Sequence, residues 1–236
     1  MKKNITIIVL SVITIISLVF GISTKLEENN VKKSYKLNKL PKPEVTGGQR
    51  GALGIDKNIN EKTIDNYLER EDSVYYDMRM LKDDANWEKI GGDSYLSGFV
   101  KGFEVFPYPF IADDSINSEL SNKVGDGYKG ESLYKNVNGK YEPNYKESLE
   151  ILEYLFPKDK NIFLMCGGGG YAGQTKKLLI SLGWNKNKIY DVGGYWYYEG
   201  KNKVNVKETR DKKTTYDFWK VKYHNIDFDS LTKIED

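Results

Sequence analysis

One cysteine, Cys166, and one histidine, His224, occur in 236 residues, and these two scarcities exclude whole classes of chemistry. A single cysteine cannot close an internal disulfide, and one cysteine with one histidine cannot furnish a Cys/His zinc site. No metal or other cofactor is implied. A Ser-His-Asp hydrolase is equally poorly supplied: no G-x-S-x-G elbow occurs, and His224 lies in a polar C-terminal segment, where it reads as a surface residue. An excess of one charge is also missing. Lys and Arg number 36 against 34 Asp and Glu, for a formal charge of +2, so no extended nucleic-acid surface is expected.

What is present suits a packed core. Hydrophobic residues make up 39% and aromatic residues 13% of the chain, enough for one ordinary domain with attachments. At the N-terminus, Lys2 and Lys3 precede an apolar run over residues 5–22. It is longer than a usual signal core and only just long enough to cross a bilayer, so residues 1–24 are read as a signal peptide or a membrane anchor. Basic residues ahead of the run place the rest of the chain outside a bacterial membrane, either secreted or on its outer face. No cysteine stands at the end of the run, which excludes a lipoprotein anchor. Residues 25–60 are rich in Lys, Asn, Glu and Gly, with Pro41 and Pro43 and no sustained apolar period. They read as a linker, or as a peptide that docks on the domain.

From Glu61 onward the pattern becomes structured. Ile64, Tyr67 and Leu68 recur at helical spacing behind Thr63, and residues 73–76 form a β-prone run that ends in Asp77-Met78-Arg79. Residues 83–141 are dense in Gly, Asp, Asn and Pro and predict long loops with one short strand. Residues 145–156 carry Leu149, Leu152 and Leu155 on one stripe, with Pro157 beyond: an amphipathic helix. A buried strand over 161–165 runs into Cys166-Gly167-Gly168-Gly169-Gly170-Tyr171-Ala172. A helix over 174–182 follows, closed by Gly183, and then a strand over 189–192 ended by Gly193-Gly194. Strands alternating with helices predict an α/β fold with a central, mainly parallel sheet. The cysteine loop belongs at a strand's carboxyl end, where such sheets bind ligands.

Four glycines let a loop curl until its amides point inward as an anion-binding nest, and the following helix adds its own unpaired amides. A cysteine in that field is expected to have a depressed thiol pKa, and its thiolate is the nucleophile. The plainer reading is a buried, inert cysteine at a tight turn. A cysteine phosphatase needs an arginine six residues after the cysteine, and Ala172 stands there. A P-loop needs lysine where Gln174 stands between Gly173 and Thr175.

These residues resemble the rhodanese family. Cys166, Gly169 and Ala172 fall at the family's loop positions, Asp77-Met78-Arg79 is similar to its early Asp-x-Arg, and Tyr95-Leu96-Ser97-Gly98-Phe99 is similar to its His-Ile-x-Gly-Ala segment. Gly193-Gly194 matches its late double glycine, with Tyr198 where tryptophan is common. The resemblance covers residues 61–200, with residues 111–140 as an insertion and 201–236 as a C-terminal extension. It implies a three-layer rhodanese-like fold and a sulfurtransferase that carries sulfane sulfur as a persulfide on Cys166, passing it from a donor such as thiosulfate to a thiol or other nucleophilic acceptor. Gly167, Gly168, Gly169, Gly170, Tyr171 and Ala172 would bind substrate, while Asp77 and Arg79 would brace the loop. Tyr171 departs from the family, which usually has arginine there. Thiosulfate is therefore expected to be a poor donor, improved by Tyr171→Arg, and the glycine walls are expected to leave a wide mouth for a bulkier sulfur carrier. The alternative is an inactive rhodanese-like module that binds a partner or a small anion outside the membrane.

Overall fold

The computed structural model describes residues 39–46, 54–81, 97–113 and 131–235. The chain divides after Leu40 into two units; the first is described only at Lys39 and Leu40. The expected signal or anchor in residues 1–24 lies outside the described residues, among which no helix is long and apolar enough to cross a membrane.

In the second unit the strands are β1 Ser73–Asp77, β2 Gly98–Val100, β3 Glu104–Val105, β4 Ala112–Asp113, β5 Tyr134–Val137, β6 Lys140–Pro143, β7 Asn161–Cys166, β8 Ile189–Gly194, β9 Lys203–Asn205, β10 Lys207–Arg210 and β11 Lys213–Tyr216. The α-helices are α1 Tyr108–Ile111, α2 Ser148–Leu155 and α3 Gly170–Ser181. A four-stranded sheet in the order β3-β1-β7-β8 is parallel throughout, so the expected α/β architecture with a parallel sheet is present.

Both faces of that sheet are covered, which is why β7 is apolar along almost its whole length. On one face Tyr75, Phe163 and Tyr190 lie in register on adjacent strands, their rings stacked at 5.0 and 4.8 Å. On the other face Tyr76, Ile162 and Leu164 join a core with Phe106, Phe156, Leu178 and Trp184. Pairing between β7 and β8 slips by one residue after Leu164, so that Met165 opposes Gly193 and Cys166 opposes Gly194. This bulge carries the double glycine alongside the cysteine.

Several segments differ from their sequence-based expectation. The chain expected as linker is folded onto the domain from Pro41 wherever it is described. The Asp56 amide donates to the Asp191 carbonyl at 2.8 Å, Tyr190 donates its hydroxyl to the Pro41 carbonyl, and Ile55 and Ile59 are buried. Asp56 accepts from the amides of Glu44, Asn58 and Ile59. Two isoleucines and one aspartate fix the segment without any repeating apolar period. The helix expected near Ile64 is a single 3-10 turn, Ile64–Asn66. The region expected to hold one short strand contains several, because runs such as Gly98–Val100 find partners far along the chain: β2 pairs with β9, and β5 with both β4 and β6.

The C-terminal extension is also built into the fold. Beyond the β10–β11 hairpin, residues 222–224 run beside β3, with the Val105 amide donating to the Lys222 carbonyl and the His224 amide to the Val105 carbonyl, each at 2.8 Å. His224, expected at the surface, is only partly exposed: its side chain is 21% exposed, and Nε2 lies 2.6 Å from Glu104 Oε2. Its ring meets Tyr76 and Phe106 edge-on. The polar neighbours in sequence concealed two aromatic neighbours in space.

Candidate functional site

β7 delivers Cys166 to the carboxyl end of the parallel sheet, and α3 begins four residues later at Gly170. Gly169, the residue that caps α3, has φ of +103°, a backbone region that disfavours any side chain. That turn directs the Gly169 amide onto Cys166 Sγ at 3.0 Å, and the Ala172 amide also bonds to the sulfur. Two amides, one from the loop and one from the first turn of α3, thus face the sulfur. The expected depression of the thiol pKa is absent. Cys166 is 3% exposed, and burial pushes its thiol up, outweighing the two amides, while the carboxylates of Asp191 and Asp77 add to the rise. Burial by the surrounding strands, with carboxylates brought from β8 and β1, is not visible in the loop alone, which suggested the opposite sign.

The space freed by the glycines is not an open mouth. A Cβ on Gly167 would come within 2.6 Å of the Trp196 indole, and one on Gly168 within 3.4 Å. A Cβ on Gly194 would overlap the Gly167 carbonyl oxygen and sit 2.7 Å from Gly168 Cα. The Trp196 amide donates to the Gly167 carbonyl at 3.1 Å, so the indole and the β8 backbone occupy the room expected for a bulkier carrier. Of the residues expected to bind substrate, Gly167, Gly169 and Ala172 are buried, Gly168 and Tyr171 are partly buried, and Gly170 is exposed. The Tyr171 ring stacks on Tyr108, centroids 5.2 Å apart, and packs against the core.

Asp77 and Arg79 sit at the end of β1 beside the cysteine strand, with the Met78 amide donating to the Met165 carbonyl at 2.7 Å. Both side chains are fully buried. Arg79 Nε donates to Asp77 Oδ1 at 2.9 Å, and its Nη2 donates to the Gly98 carbonyl at 2.9 Å. The guanidinium lies 4.3 Å from the centre of the Tyr195 ring, which Lys203 also approaches at 4.9 Å. The pair thus links β1 and β2 and lies against the Tyr195 ring.

Three further residues went unsingled in the sequence. Asp191, buried on β8, accepts the Gly193 amide at 3.0 Å. Lys176, on the second turn of α3, is buried, and burial pushes its ammonium pKa down against the opposing pull of Asp191 and Asp56. Trp196 had one signal, its place two residues after the double glycine, but it sat in an aromatic run that reads equally well as packing. Apart from the loop, a groove of about 430 Å³ lies between α2 and the C-terminal segment, lined by Glu147, Ile151, Leu155, His224 and Ile226 among others.

Fold and site together define an α/β protein with a buried cysteine at a strand–glycine-loop–helix junction. Comparison of the chain with protein-family models, with curated proteins and with solved structures found no match in any of the three. The class therefore rests on the fold and the site.

Proposed function

We propose that this chain is a rhodanese-like sulfurtransferase, with the three-layer fold that name implies, and that Cys166 carries sulfane sulfur as a persulfide. The single observation that carries the reading is the seat of Sγ: a sulfur at the carboxyl end of a central parallel strand, bonded by the Gly169 amide at 3.0 Å and facing the first turn of α3. Such a seat favours negative charge on sulfur in the reacting state, although burial holds the resting thiol protonated. The Cys166 thiolate attacks the sulfane sulfur of a donor R–S–SH. The Sγ–S bond forms, the donor's S–S bond breaks, and R–S⁻ departs with the electron pair and takes up a proton. A thiol or other nucleophile then removes the outer sulfur, with no net oxidation. One added S–S bond, about 2.05 Å long, moves the reacting atom beyond the buried Sγ.

The test is mass spectrometry of the Cys166 peptide after treatment with inorganic polysulfide followed by alkylation. One additional sulfur, absent from Cys166→Ser, is expected; an unmodified thiol would overturn the reading. That outcome would favour the second reading, an inactive module binding a partner or small anion, for which the raised thiol pKa is the specific support. Export rests on Lys2, Lys3 and the run over residues 5–22; recovery of the native protein wholly in the cytosol would contradict it.

A further inference from the structure

Far along the chain from the cysteine loop, the C-terminal part holds a charge bias that the whole chain lacks. Residues 201–222 contain eight Lys and Arg against three Asp and Glu, where the chain as a whole is nearly balanced at 36 and 34. Much of this run is the β10–β11 hairpin, whose tip residues Asp211 and Lys212 have φ of +49° and +65°. Such a two-residue turn favours Asn and Gly, so the charged tip is held at a conformational cost. The hairpin is fixed onto the turn that follows it. The Asp217 amide donates to the Val206 carbonyl at 2.9 Å, Arg210 Nη2 to Asp217 Oδ2 at 2.8 Å, and Lys220 Nζ to Glu208 Oε1 at 3.0 Å. Trp219 stands on that turn and is 81% exposed, with the Lys220 ammonium 5.7 Å from its ring centre. Lys212 and Lys213 at the hairpin tip are exposed as well.

We infer that the hairpin and Trp219 form one contact surface for an anionic lipid bilayer. Within the element, Arg210 and Lys220 answer Asp217 and Glu208, so the surplus of lysine is left to meet negative charge outside the chain. Anionic headgroups create a potential that attracts lysines near the surface. The exposed indole decides between lipid and a dissolved polyanion, because charge alone would satisfy the latter. Trp has an apolar body with one N–H, a combination suited to the boundary between headgroups and acyl chains. A chain exported through a membrane, as proposed above, comes to lie beside such a boundary. The inference does not depend on the chemistry of Cys166.

The test uses the full chain as wild type, as Trp219→Phe and as the double variant Lys212→Gln with Lys213→Gln. Each is mixed with vesicles of phosphatidylglycerol or of phosphatidylcholine whose acyl chains carry bromine, which quenches indole fluorescence on contact. The first tryptophan in the chain is Trp87, so the apolar run over residues 5–22 contributes no signal of its own. Wild type should be quenched clearly more by phosphatidylglycerol than by phosphatidylcholine. Trp219→Phe should lose most of that difference, and so should the double lysine variant. Salt at about 1 M, which screens charges beyond about 3 Å, should shrink the difference in wild type. Should the lysine variant fail to fold, this salt dependence decides. Equal quenching by the two lipids, or a difference unchanged in Trp219→Phe or in high salt, would overturn the inference. Loss of the quenching on adding dissolved glycerol phosphate would assign the surface to a free phosphate and overturn it too. None of these results bears on the persulfide reading.

Discussion

Asp77 and Arg79 lie two residues apart at the end of one strand, and neither side chain reaches solvent. Removing one partner strands the other as a buried charge, so Arg79→Ala or Asp77→Asn should each lower stability by about 3–5 kcal/mol. Replacing both, as in Asp77→Leu with Arg79→Met, should cost clearly less than the sum of the single changes. Urea unfolding of the three variants measures this, and additive losses would show that the pair is not coupled. Cys166 yields a second expectation. Burial raises its thiol, so the alkylation rate should climb with pH to a midpoint above the ordinary thiol range of about 8.5. A midpoint below that range would mean that the amides outweigh burial. The position of the cysteine was legible in the sequence because glycines follow it; the sign of its pKa shift was not, since the burial that decides it comes from the strands packed around the sulfur, with Asp191 and Asp77 adding to it.

At the scale of elements, the junction depends on glycines for two different reasons. At Gly194 an added methyl would meet the Gly167 and Gly168 backbone, which cannot swing aside, whereas at Gly167 it would meet the half-exposed Trp196 indole. Gly194→Ala should therefore cost about 3 kcal/mol or more, and Gly167→Ala about 1 kcal/mol. Thermal melts of the two variants provide the check, and equal losses would contradict the asymmetry. The longer elements were readable from pattern: β7 and β8 as apolar runs, and α2 from Leu152 and Leu155, although Leu149 of the expected stripe faces solvent. Their ends were not. α3 begins at Gly170, four residues earlier than its side chains suggest, because its first turn is set by the sulfur and not by an apolar repeat. Strands as short as β2 and β9 carry no period of their own, and only their partner across the chain makes them strands.

For the whole molecule, the C-terminal segment and the aromatic core matter most. Residues 222–224 extend the sheet beyond β3, and Phe228 packs edge-on against Phe110, so deleting residues 222–235 should expose that edge and lower the melting temperature well outside measurement error. A melt unchanged by the deletion would make the extension an ornament. Burial pushes Tyr75, Tyr134 and Tyr190 up to about 12. Below about pH 9 these tyrosines are protonated both folded and unfolded, so their contribution is fully present there. Between about 10 and 12 only the unfolded chain loses their protons, so stability should fall across that window. Urea titrations from pH 8 upward, at fixed salt, would show it.

Sulfur passing through Cys166 is the centre of the account, and an isotope reports it most directly. The full chain is loaded from polysulfide labelled in its sulfane sulfur, freed of donor, and then given an excess of acceptor thiol. The Cys166 peptide should carry the label after loading and lose it to the acceptor as a labelled persulfide, while Cys166→Ser carries none. Label that never appears on Cys166, or that stays there in the presence of acceptor, would contradict a sulfurtransferase.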